Sequence, residues 1–115
     1  MADTIAYKIL TADQMAALEQ DRSFAGAPVD LADGYIHLSA ADQLRGTLDK
    51  HFADQTDLWL VAVDLDVVAD RVRWEVSRGG ARFPHLYGVL TLDAVLAWSP
   101  VAYEPNGALR LPVAG

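Results

Sequence analysis

The sequence predicts an α+β fold, and three observations predict it. Two amphipathic helical patterns come early, while most strand-like runs come late. Leu58–Val63 (LWLVAV) is a nearly continuous apolar run of strand length, as expected for a strand buried on both faces. No repeat, low-complexity run or linker interrupts the 115 residues, a length that fits one domain spanning 1–115.

The elements follow in order. Ile5–Leu10 (IAYKIL) reads as a strand rich in β-formers. Thr11-Ala12-Asp13-Gln14 matches a capping box, so a helix starts there and runs to about Arg22, burying Met15 and Leu18. Gly26, Pro28 and Gly34 then punctuate a loop. Tyr35–Leu38 is a strand with Ile36 and Leu38 on one face and Tyr35, His37 and Ser39 on the other. Ser39 is placed to cap a second helix, Ala40 to about Phe52, with Leu44, Leu48 and Phe52 inward. After the central run, Val67 and Val68 are expected to form a short bridge. Arg71–Ser77 alternates, with Val72, Trp74 and Val76 inward and Arg73, Glu75 and Ser77 opposite. Arg78–Pro84 is read as a glycine-bearing loop. Ala94–Tyr103 and Ala108–Leu111 are late strands joined by a turn at Asn106-Gly107.

Composition bounds the function. An apolar fraction of 52 % argues against disorder. Cysteine is absent, which excludes disulfides, thiolate metal sites and a cysteine nucleophile, and fits a reducing cytoplasm. The start shows no basic region followed by an apolar run, and no stretch approaches the ~18 apolar residues that span a bilayer. A net charge of −7 disfavours nucleic acid and anionic lipid as partners. Yet four of the nine basic residues, Arg71, Arg73, Arg78 and Arg82, fall in one window of twelve with a single acid, Glu75. Such an island suits a small anionic ligand; it equally suits pairing with surface aspartates.

Two segments carry the candidate chemistry. In Asp33–Ser39, Tyr35, His37 and Ser39 share a strand face that leads into a helix start, and Gln43 lies one turn into that helix. A neutral imidazole there donates to a ribose or phosphate, or acts as a general base. The same pattern fits a half-buried histidine bonded to backbone, with Ser39 merely a cap. In Arg78–Gly88, His85 and Tyr87 share a face, two glycines permit close backbone approach, and Arg78 and Arg82 offer forked donors. An ordinary hairpin with aromatic packing would look similar. Glu75 is placed to orient a ribose or to pair with Arg73. His37 and His85 lack the close spacing of metal motifs, so no metal is expected.

The runs DGYIHLS, AADQL, RWE, FPHLYG and NGALRLP, with IAYKIL at the start, resemble a bacterial family known as domain of unknown function 952. The resemblance spans nearly the whole chain. It implies a fold similar to that of the ADP-ribosyltransferases, with two early helices packed on a largely antiparallel split sheet. It implies a cleft for NAD, as a possible substrate, or for a related ADP-ribose compound. His37, His85 and Glu75 would be the catalytic candidates, and Tyr35, Ser39, Gln43, Arg73, Arg78, Arg82 and Tyr87 the ligand contacts. Lys8 departs from the pattern, because those transferases usually carry a histidine or arginine on the first strand. Two alternatives stand beside the enzyme: a non-catalytic binding module for a small anionic ligand or protein partner, and a purely structural role for the histidines.

Overall fold

The computed structural model describes residues 4–112, apart from the side chain of Arg78. Eight strands and three α-helices follow one another as β1 (Ile5–Leu10), α1 (Ala12–Asp21), β2 (Ser23–Phe24), α2 (Pro28–Asp33), β3 (Ile36–His37), α3 (Leu44–His51), β4 (Trp59–Asp64), β5 (Val72–Val76), β6 (Arg82–Leu86), β7 (Leu90–Thr91) and β8 (Val95–Pro100). All pairing between these strands is antiparallel, in the orders β1-β4-β8, β2-β7 and β3-β6-β5. Few helices on antiparallel sheets make this an α+β fold. Two backbone bonds between Tyr7 and Ser39, each 2.8 Å, join the edge of the first sheet to the chain leaving β3.

The core explains why β1 and β4 are apolar on both faces. Ala6 and Leu10 of β1 enter one cluster with Met15, Leu18, Ile36, Leu38, Val61, Val63 and Leu86. Tyr7 and Ile9 enter a second cluster with Leu44, Leu48, Leu60 and Ala62. Burying a side chain such as Leu18 or Leu44 contributes about 1.5–3 kcal/mol. Period-two alternation puts Lys8 on the face of Ala6 and Leu10. It is buried there, inside an otherwise apolar surface.

The first helix starts as its capping box dictates: the Gln14 amide N–H donates to Thr11 Oγ1 at 3.2 Å, and Thr11 N–H to Gln14 Oε1 at 2.9 Å. Other expectations need correction. The stretch read as a loop around Pro28 is the helix α2, with Pro28 at its start and Gly34 as its left-handed cap (φ 88°). Ser39 is not a cap. A 3-10 turn, Ala41–Gln43, precedes α3, and Gln43 Oε1 accepts from Ala40 N–H at 2.9 Å. Val67 and Val68 lie in a turn, and Val76 is exposed because β5 outruns the core there. Arg78–Gly80 form a turn, while Arg82–Pro84 belong to β6. The expected strand at Ala108–Leu111 is reduced to a bridge between Tyr103 and Leu109.

Pro84 sits in the middle strand of its sheet, a place that normally excludes proline. Its carbonyl accepts from Leu38 N–H at 3.0 Å. In an extended chain the N and O of one residue point the same way. The missing N–H is therefore the one that would answer the Leu38 carbonyl, so a single ladder bond is forfeited, at the end of short β3.

Candidate functional site

The β3-β6-β5 sheet sets His37, His85 and Arg73 side by side, since His37 pairs with His85 and His85 with Arg73. Tyr35 folds over this row. Its ring stacks on His85 with centroids 4.1 Å apart and planes at 23°, and it lies 4.7 Å from His37 and 5.2 Å from Tyr87. The two imidazoles meet edge to face at 5.6 Å. Alternation brought Tyr35 and His37 to one face and His85 and Tyr87 to one face; strand pairing brought those faces together.

The two histidines meet different carboxylates, one at His85 and two at His37. His85 Nδ1 donates to Glu75 Oε1 at 2.8 Å, and Tyr87 Oη donates to the same oxygen at 2.6 Å. These two donors, Tyr87 first, hold the Glu75 carboxyl below its ordinary range, helped by the charge of Arg73 and opposed by partial desolvation. Glu75 is thus an anion, suited to accepting hydroxyl groups or facing positive charge. The same hydrogen bond raises the Tyr87 phenol. The Arg73 guanidinium lies 5.8 Å from the Tyr87 ring centroid, at the edge of the cluster. Burial, then the charges of Asp33 and Glu75, push the Tyr35 phenol up.

His37 Nδ1 meets Asp30 Oδ1 at 2.6 Å, and its Nε2 meets Asp33 Oδ2 at 2.9 Å. Asp30 is the hub of this half. It accepts from Lys8 Nζ (2.9 Å at Oδ2, 3.1 Å at Oδ1), from the backbone N–H of Ala27 (2.8 Å) and of His37 (3.1 Å), and from the His37 ring. Burial alone would raise its carboxyl. The His37 bond, the Lys8 charge and hydrogen bond, and the Ala27 bond outweigh burial and leave it at about 2. Burial pulls the Lys8 ammonium below its ordinary value, against the opposing charge of Asp30.

The remaining candidates fall outside this cluster. Ser39 is buried and its Oγ bonds Thr47 Oγ1 at 3.0 Å. Gln43, besides capping, donates from Nε2 to the Arg82 carbonyl at 2.7 Å. Arg82 Nη1 donates to the Trp74 carbonyl at 3.3 Å across the β5–β6 hairpin. Arg78 lies in the hairpin turn, and its side chain is outside the described residues. Arg71, part of the basic island, bonds the Val89 carbonyl at 2.9 Å. The positive island is therefore dispersed, and the cluster itself holds three carboxylates. Among the described residues, no set of three histidine and carboxylate side chains converges as metal ligands do.

Asp30 and Asp33 were not singled out from sequence. Their signal was Pro28 and Gly34, which bracket a short helix as N1 proline and C′ glycine. Two surface hollows, about 480 Å³ beside α1 and Trp59 and about 430 Å³ between the end of α3 and Pro100, are lined by none of the cluster residues. At the cluster the Tyr35 ring covers His85. No helix among the described residues is long and apolar enough to cross a membrane.

Solved structures with this architecture come from protein CC0527 of Caulobacter crescentus. Its crystal structure is 41% identical, covers 93% of this chain and 94% of that one, and superposes with a TM-score of 0.83. The crystal structure of its double mutant (40% identity, 93% and 94% coverage, TM-score 0.82) and its solution NMR structure (42%, 91% and 90%, 0.78) agree. No curated protein matches the chain. The family model described as "Protein of unknown function (DUF952)" matches residues 9–98, and with that span and those relatives the chain belongs to this family.

Proposed function

We propose that the Tyr35–His37–His85–Tyr87 face binds a ribose-containing nucleotide of the NAD or ADP-ribose type. The observation that carries this reading is the Glu75 carboxylate held by His85 and Tyr87 beside the stacked Tyr35 ring. A carboxylate kept ionised accepts ribose hydroxyls and stabilises positive charge developing at the ribose carbon when a glycosidic bond breaks. Tyr35 and Tyr87 offer aromatic faces for a base. Arg73, at the edge of the cluster beside Tyr87, supplies a cation for the pyrophosphate. The likeness in fold to the ADP-ribosyltransferases, inferred from sequence, belongs to this proposal.

Calorimetry with NAD, ADP-ribose and nicotinamide tests it. Binding of the ribose-containing compounds at or below millimolar concentration, weakened in Glu75→Gln, is the expected result. A folded protein that binds none of them at millimolar concentration overturns it.

One observation favours binding without turnover. Both ring nitrogens of His37 are taken up by carboxylates, so neither is aimed at a ligand. Any acid–base step falls to His85, positioned by Glu75. Release of nicotinamide from NAD that disappears in Glu75→Gln marks an enzyme. Binding without release marks a non-catalytic module.

A further inference from the structure

The helix α2 is built inside out. Asp30 is its one buried residue, while Val29 and Leu31 stand 57 % and 65 % exposed. An ordinary surface helix of a globular protein turns its apolar side inward. This one is instead held to the body by polar bonds from Asp30, and by Asp33, whose carboxylate reaches His37.

His37 thus clamps the helix at two points three residues apart. Ionised carboxylates only accept, so the bonds to Asp30 and Asp33 coexist only while the ring carries both protons. If one proton leaves, it leaves from Nε2. Asp30 is the closer partner at 2.6 Å, is buried, and is kept ionised by Lys8. Nε2 would then aim a lone pair at the Asp33 oxygen 2.9 Å away, and attraction becomes repulsion. The chain beyond Asp33 leads directly to the stacked ring. Gly34 sits in the left-handed region at φ 88°, and Tyr35 follows it, stacked on the buried His85.

We propose that His37 is a proton-operated latch on access to His85. With both ring protons it holds the C-terminal end of α2 down and Tyr35 closed. On losing the Nε2 proton it frees Asp33, and Tyr35 swings clear. The charged and titratable groups facing the latch are Asp30 and Asp33 from α2, Lys8 from β1, His85 from β6, and Tyr35 beside it, with Glu75 and Tyr87 behind His85. The proposal gives the nucleotide site a control of entry and rests on that reading only for what enters.

Hydrogen exchange tests it without ligand. The amides of Gly34 and Tyr35 donate to the Asp30 carbonyl at 2.8 and 3.2 Å and report the end of α2. Their exchange, corrected for intrinsic rates, is followed from about pH 5 to about pH 9, with nitrogen NMR of both histidine rings. Protection should fall at least tenfold in step with deprotonation of His37 Nε2. Asp33→Ala, a change at an exposed position, should be unprotected from the start and show no further change. Protection that persists once Nε2 is deprotonated, that follows His85 instead, or that is intact in Asp33→Ala overturns the latch. Each such result leaves nucleotide binding untouched, and failure to bind nucleotide leaves the latch untouched.

Discussion

The two histidine–carboxylate pairs are assembled in opposite senses. At His37 the carboxylate is the buried member, with the Asp30 side chain 1 % exposed and the imidazole 31 %. At His85 the imidazole is buried at 3 % and the Glu75 carboxylate is 40 % exposed. Burying a charge demands partners, and Asp30 has donors from Lys8, Ala27 and His37. Exposing one leaves it available, and Glu75 faces outward while bonded to His85 and Tyr87. The difference teaches that the same pair of residue types serves two purposes: the Asp30 half holds the structure, and the Glu75 half leaves its carboxylate open to solvent.

The contrast breaks most visibly at Asp30. Asp30→Ala leaves the Lys8 ammonium buried without its partner, and unfolding in urea should show a loss of about 3–5 kcal/mol. A loss below about 1 kcal/mol would put Asp30 on the same footing as a surface acid.

Acid gives the next largest effect. The Asp30 carboxyl is depressed from 3.8 to about 2 in the folded protein. Its contribution is therefore complete above pH 4 and is lost as the pH falls through 4 towards 2. The linked stability is about 2 kcal/mol. Urea midpoints measured from about pH 5 down to about pH 2 should fall for the wild type and fall less for Asp30→Asn.

Glu75→Gln should leave thermal unfolding nearly unchanged yet weaken ADP-ribose binding about tenfold, an effect the size of one charged hydrogen bond. An equal loss of stability and binding would erase the distinction between the two halves. The smallest expected effect is spectroscopic. The Tyr87 phenol is raised chiefly by its bond to Glu75, so its alkaline titration should move back towards the ordinary tyrosine value in Glu75→Gln. Ultraviolet difference absorption, with Tyr87→Phe to identify the signal, reads this directly.

Local signals were legible where they were complete within a few residues. The Thr11–Gln14 capping box placed the start of α1. Alternation in the β6 stretch set His85 and Tyr87 opposite Leu86, and both reach Glu75 while Leu86 is core. Signals with two meanings were misread. Pro28 and Gly34 end loops as readily as they bracket a helix, so α2 and Asp30 were hidden. Ser39 looked like a cap, but the chain there is bonded to Tyr7 on β1, and Ala40 with Gln43 opens the helix one residue later. The arginines cluster in sequence, but the described side chains of Arg71, Arg82 and Arg73 go separately to the Val89 carbonyl, the Trp74 carbonyl and the Tyr87 ring.

By itself, then, the sequence determined the α+β class, the central apolar strand and the faces on which Tyr35, His37, His85 and Tyr87 stand. These depend on periodicities that repeat every two to four residues along the chain. Only the tertiary structure decided that Lys8 answers Asp30 across 22 residues, that Tyr35 lies on His85, and that one histidine is buried while the other is shared by two carboxylates. Such pairings arise where distant strands cross, and the energy of a buried charge depends on what the crossing brings within about 3 Å of it.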